Sequence, residues 1–156
     1  MTIKTLTVEK DKVYEEVAKT TQYTGKKTEE GQSFERISTT EQDYEMLERF
    51  WSESKDMVCS SMKKLLRSET DADGRYAITL ELSSSFDEAL SDSMERSLFS
   101  FFVMNITAKW YTLANKEEAA GYAQEAATYM DDVKRKAYYK KKPVRPTYNN
   151  TKPSNT

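Results

Sequence analysis

Apolar residues crowd most densely between positions 86 and 115 (FDEALSDSMERSLFSFFVMNITAKWYTLAN), a stretch without Pro or Gly. Its first half is one-sided. Leu90, Met94, Leu98 and Phe101 recur at three- and four-residue spacing, which is the signature of an amphipathic helix. Its second half is apolar nearly all round. Phe99, Val103, Ile106, Trp110 and Leu113 form one stripe, and Leu98, Phe101, Phe102 and Ala108 fill in beside it. A helix apolar on several sides must be covered on several sides. The pattern therefore predicts a central helix, roughly 45 Å long at about 1.5 Å per residue, with the other elements packed on it.

Four further elements follow from the same reading. Residues 7–20 predict a short first helix with Val13, Tyr14, Val17 and Ala18 on its apolar edge, ended near Tyr23–Thr24–Gly25 with Gly25 as a C-terminal cap. Residues 26–33 are polar and read as a loop. A second helix starts after Ser38, whose spacing to Glu41 is that of a capping box. Its stripe is Tyr44, Leu47, Phe50, Trp51, Met57, Val58, Met62, Leu65 and Leu66, and residues 69–74 (ETDADG) read as a turn. From Arg75 to Leu82 the pattern alternates. Tyr76, Ile78, Leu80 and Leu82 fall on one face, which predicts a half-buried strand. No second good strand is evident, so its partner is either residues 32–37 or another chain. The serines at 83–85 offer caps for the central helix, and Asn115 with Glu118 offers one for a fourth helix over 116–139. Ala119, Tyr122, Ala123, Ala126, Ala127, Met130, Val133 and Ala137 line its apolar side, and small residues there let two helix axes approach closely. Pro143 and Pro146 are read as its stop. The fold expected is mainly α: a helical bundle with a long antiparallel helical hairpin and one short β-strand or hairpin. It forms a single domain over 1–142 (N-terminal helix and loop 1–33, core 34–142), followed by an extended or disordered tail, 143–156.

Composition narrows the chemistry. The chain has 156 residues, no histidine and one cysteine, Cys59. Histidine-based triads and histidine-ligated zinc are excluded, as is a disulfide within the chain. The cysteine usage suits a reducing compartment, and residues 1–6 lead into charge, not the apolar core of a signal peptide. The longest mostly apolar window, 98–113, contains Asn105 and Lys109 and is too short to span a bilayer. The net charge of −2 conceals a split. Eight of the 24 basic residues follow Asp132 and no acid does, so the first 133 residues hold 16 basic residues against 26 acidic ones. An acidic body with a basic tail is an interaction design.

The candidate sites are few. Glu69, Asp71 and Asp73 resemble part of a calcium loop but lack its later ligands, and read as an ordinary turn. Cys59, beside an apolar stripe and with no histidine to activate it, reads as a structural thiol. The aromatic residues at helical spacing read as core. The basic tail is the least ordinary feature. Lys140, Lys141, Lys142, Arg145 and Tyr148 form a candidate arm for docking on protein or on nucleic-acid phosphates. If the arm alone binds nucleic acid, cutting the chain at Tyr139 abolishes binding. Tyr76, Ile78, Leu80 and Leu82 form a candidate inter-subunit strand.

Several pieces recur together: EVAKTT at 16–21 with YTG at 23–25, FERISTT at 34–40 ahead of LERFW at 47–51, YAITLEL at 76–82, KWY at 109–111 with NKEEA at 115–119, and KKPVRP at 141–146. The combination resembles small proteins from the structural-gene region of phages and prophages of gut Bacteroidetes. In size and layout it is similar to head–tail connector (adaptor) proteins, helical bundles with a short β element and an extended arm. The resemblance spans most of the chain and implies a non-enzymatic virion structural protein, assembled in the host cytoplasm as an oligomeric ring between portal and tail. Its partners would be other copies of itself and portal or tail proteins, with no cofactor, metal or membrane. On this expectation the first helix, the Arg75–Leu82 strand and the arm from Lys140 onward make the inter-subunit or portal contacts, and the acidic body lets DNA slide through the channel. The alternatives carried forward are a nucleic-acid-binding accessory protein using the basic arm, and another phage tail-completion protein.

Overall fold

The computed structural model describes residues 1–28 and 43–146, and the side chains of all of these except 23–28. Residues 32–37, the Ser38/Glu41 capping box and Tyr148 lie outside the described residues. The described part is mainly helical, with four α-helices and a small three-stranded antiparallel sheet.

The first eight-residue element is a strand, β1 (Thr2–Glu9), and the first helix, α1 (Lys10–Thr28), starts only after it. The helix expected from residue 7 is corrected here. Residues 2–8 are rich in Thr, Ile and Val, which suit a pleated, half-buried surface. Leu6 and Val8 are buried at period two while Thr5 is exposed. At its other end α1 runs through Gly25, so Gly25 is no cap. One glycine inside a helix costs only about 1 kcal/mol relative to alanine.

Three elements follow α1: α2 (Tyr44–Ser61), β2 (Leu66–Ala72) and β3 (Arg75–Leu82). The turn expected over 69–74 shrinks to two residues. Asp73 and Gly74 both have positive φ, 55° and 73°, and close a tight β2–β3 hairpin. Asp-Gly is the favoured pair where both turn residues must be left-handed. The sheet order is β1-β3-β2, so β3 is central and pairs with its own chain along both edges. Its Tyr76, Ile78, Leu80 and Leu82 are at most 1% exposed. The inter-subunit strand expected there is therefore corrected. It rested on β3 having no partner in the chain, and both partners are present. The N–H of Thr7 on the β1 edge donates to Glu95 Oε2 at 3.1 Å. At the opposite edge, β2 carries an irregularity in register near Leu66 and Ser68, and edge strands with such irregularities resist further pairing.

A 3₁₀ turn, Glu88–Leu90, leads into α3 (Ser91–Ala114), the central helix. Asp87, not the serines at 83–85, accepts from the Ala89 N–H and caps that turn. Buried residues surround α3, from Met94 through Phe101, Phe102, Ile106 and Tyr111; Leu113, expected in the stripe, is 64% exposed. One residue, Asn115, separates α3 from α4 (Lys116–Ala137), and its side chain caps neither helix. Along α4 the buried positions are Ala126, Met130, Val133 and Ala137, whereas Ala123 and Ala127 are exposed. Three contacts give the relative direction of the two helices. Lys136 meets Ser93, Asp132 meets Ser97, and Tyr122 stacks on Tyr111 at 5.3 Å. The α4 helix ends at Ala137, with Tyr138 at its C-cap, well before Pro143, so the prolines do not stop it.

The core lies between the inner face of the sheet and the four helices. Val13 and Val17 of α1, Leu47, Phe50, Trp51 and Val58 of α2, and the inward residues of β3, α3 and α4 share one cluster. Trp51 is its aromatic hub, 4.6 Å from Phe102 and 6.1 Å from Tyr76 between ring centres. Tyr44 and Met57, expected in the α2 stripe, are about half exposed. Among the described residues no helix is long and apolar enough to cross a membrane.

Candidate interaction surfaces

Two regions hold polar groups of contrasting kinds. The first is a seam where α2 meets the β2 edge and α1. The β register puts Glu69 opposite Ile78 and Asp71 opposite Tyr76, so both carboxylates share the inward face of the sheet and reach α2. Asp71 Oδ2 accepts from Trp51 Nε1 at 3.0 Å and from Lys55 Nζ at 2.6 Å. Glu69 Oε2 accepts from the Cys59 thiol at 2.7 Å and from the Tyr76 hydroxyl at 2.8 Å. One helical turn further toward α1, Glu48 accepts from the Tyr14 hydroxyl at 2.7 Å and pairs with Lys10 at 2.9 Å. Each carboxylate thus joins two elements through an aromatic donor or a cation.

The protonation states follow from these contacts. Burial by itself would raise the Asp71 and Glu48 carboxyls; the Lys55 and Trp51 donors, and the Lys10 and Tyr14 donors, outweigh it and hold both below their ordinary range. The Cys59 and Tyr76 donors do the same for Glu69. Burial, then the bond to Glu69, pushes the Cys59 thiol up, and the same two causes raise Tyr76. A thiol held protonated is a poor nucleophile, so Cys59 serves here as a hydrogen-bond donor. Glu69, Asp71 and Asp73 do not converge on a point, and among the described residues no group of three or more acids, cysteines or histidines is placed to hold a metal ion.

The second region is the end of the molecule where α2 and α4 both terminate. Ser60, Ser61, Lys63, Lys64, Lys134 and Tyr138 surround a shallow cavity of about 350 Å³. Lys63, Lys64 and Lys134 are exposed, and among the described residues none of them pairs with a carboxylate, in contrast to Lys10, Lys55, Lys109 and Lys136. The chain then continues into the expected arm. The Asp87 N–H donates to the Tyr139 carbonyl at 3.1 Å, the Lys141 N–H donates to the Ser85 carbonyl at 2.8 Å, and Phe86 and Lys140 form an isolated antiparallel bridge. The arm is thus fastened to the domain at 139–141. Lys140, Lys141, Lys142 and Arg145 are exposed and make no ion pair among the described residues.

The structure therefore brings Lys134 to the same cavity as Lys63 and Lys64, a convergence the sequence does not show because 70 residues separate Lys64 from Lys134; Lys140–Lys142 follow just past the end of α4. It separates the arm from Tyr76, Ile78, Leu80 and Leu82, which lie in the core. The seam was also missed from sequence; its one available signal was the alternation of Glu69 and Asp71 ahead of an Asp-Gly pair. Compared with protein-family models, curated proteins and solved structures, the chain matches none.

Proposed function

We propose that this protein is a non-enzymatic structural subunit of a phage virion, a head–tail connector that joins its neighbours through the C-terminal arm. In this reading α3 and α4 form a long antiparallel hairpin that serves as the rigid beam of a small helical bundle. The observation that carries the reading is the way the arm leaves that beam. Residues 139–141 are bonded to 85–87, so the exposed residues 143–146 leave the domain from a fixed point. A fixed exit lets a short arm reach the same place on every neighbour, and a heterologous contact repeated by rotation closes a ring. The β3 strand has no part in this version of the assembly, because its inward residues are buried and both its edges are paired within its own subunit.

Molar mass by light scattering over a wide concentration range tests the proposal, on the full chain and on a chain ending at Lys142. That cut keeps the bonds at 139–141 and removes the residues after Lys142. A discrete ring for the full chain and a monomer for the shortened one are expected. Equal masses for the two chains at every concentration, with or without a portal protein as template, would overturn the arm-linked connector.

A further inference from the structure

We infer that the end where α2 and α4 terminate is a sequence-independent binding surface for a nucleic-acid backbone, built from Lys63, Lys64 and Lys134 around the cavity and extended by the lysines at 140–142. This inference does not depend on the connector reading. It rests on three observations. First, two segments far apart in sequence deliver their cations to one cavity, which a solvated tail alone would not do. Second, the chain has an excess of carboxylates over its first 133 residues, yet among the described residues none neutralises these lysines. Clustered like charges repel, and a polyanion relieves that repulsion while releasing its own counterions. Third, the surroundings suit nucleic acid better than an acidic peptide. Tyr138 and Tyr139 are 58% and 45% exposed beside the cations, available for bases to stack on, and the Ser60 and Ser61 hydroxyls line the same cavity. Stacking on aromatic rings and hydroxyl contacts to phosphate and sugar are recurrent partners of backbone recognition.

The surface also changes what the arm alone can explain. Three of its cations precede Tyr139, so removing the arm should weaken binding without abolishing it. The test is a fluorescence-anisotropy titration of the full-length protein against a labelled random-sequence duplex and a labelled single strand, repeated over salt. The variants are Lys63→Glu/Lys64→Glu, Lys140→Glu/Lys141→Glu/Lys142→Glu, and Lys19→Glu on α1 as a control, each checked for folding by circular dichroism. Binding that weakens steeply with salt is expected, and the Lys63/Lys64 variant should lower the slope of log K against log salt by about two and the affinity by about tenfold at low salt. The relative affinity for duplex and single strand distinguishes backbone contact alone from contact with base stacking, and Tyr138→Ala weakens the single strand selectively in the second case. No binding at low salt, equal loss with Lys19→Glu, or tighter binding of polyglutamate of equal charge would each overturn the inference. The last outcome would point to an acidic protein face, such as that of a second copy of this chain.

Discussion

The seam between α2 and β2 and the basic end where α2 terminates lie on opposite sides of one distinction. In the seam three carboxylates each have named partners: Asp71 with Lys55 and Trp51, Glu69 with Cys59 and Tyr76, Glu48 with Lys10 and Tyr14. A few residues past the end of α2, Lys63 and Lys64 have no anionic partner among the described residues. Satisfied polar groups at a partly dry interface fix how elements sit together, and removing one partner strands the other. Exposed unpaired cations do neither. They add little to the fold and keep their charge for something outside it. The side chains of the seam are therefore read as structural, and those of the basic end as the ones free to meet a partner.

The largest effect should come from the hub of the seam. Trp51→Ala removes a ring in contact with Phe102, Tyr76 and Tyr14 and should cost about 3–5 kcal/mol in chemical denaturation. Trp51→Phe keeps a six-membered ring and removes the donor to Asp71 with a small part of the packing, for a loss of about 1–2 kcal/mol. Equal losses from the two variants would mean that the hydrogen bond, not the packing, holds the seam.

Acid should attack the seam next. The carboxyls of Asp71, Glu69 and Glu48 lie below their ordinary values in the folded state. Such a group stabilises the fold above its unfolded pKa and loses that contribution as pH falls through the folded one. Stability should therefore stay level from neutral pH down to about pH 5 and decline below about pH 4. Asp71→Asn, measured by urea denaturation across that range, should lower the plateau and flatten part of the decline. A decline that begins near neutrality, or one that Asp71→Asn leaves unchanged, would remove Asp71 from the account.

A smaller, kinetic effect concerns Cys59. Its thiol is raised by burial and by donation to Glu69, so alkylation near pH 8 should run slower in the folded protein than in the urea-unfolded chain. Glu69→Gln should speed it; no change would indicate that burial alone protects the sulfur. The smallest effect on stability belongs to the basic end. Lys63→Glu/Lys64→Glu should shift the unfolding free energy by no more than about 0.5 kcal/mol per residue, as for surface positions without a partner. A loss comparable to that of Trp51→Phe would show that these lysines are structural after all, and the contrast between the two regions would fail.

Much of the framework was legible because periodicity reports burial. The α3 helix announced itself by being apolar all round, and Tyr76, Ile78, Leu80 and Leu82 by strict alternation. The remaining strands were hidden for identifiable reasons. In β1 the inward residues Thr2 and Lys4 are polar, so only Leu6 and Val8 mark its buried face. In β2 the inward positions past Leu66 are Glu69 and Asp71, carboxylates that face α2 and look, in sequence, like turn chemistry. The same substitution of charge for apolar bulk hid the seam. The basic end was half visible. Lys140, Lys141 and Lys142 stand out as a run, but Lys63 and Lys64 meet Lys134, ahead of that run, only through the fold.

The contrast between the regions is tested most directly by thermal unfolding of the full-length protein at low salt with increasing concentrations of a random-sequence duplex, beside the Lys63→Glu/Lys64→Glu variant. A ligand that binds only the folded state raises stability by about 2.7 kcal/mol at a hundred times its dissociation constant. The account predicts a midpoint that climbs with duplex concentration, a climb that added salt suppresses, and a variant that unfolds at the same temperature without duplex but gains much less from it. A midpoint that the duplex leaves unmoved, or one that rises equally in both proteins, would contradict it.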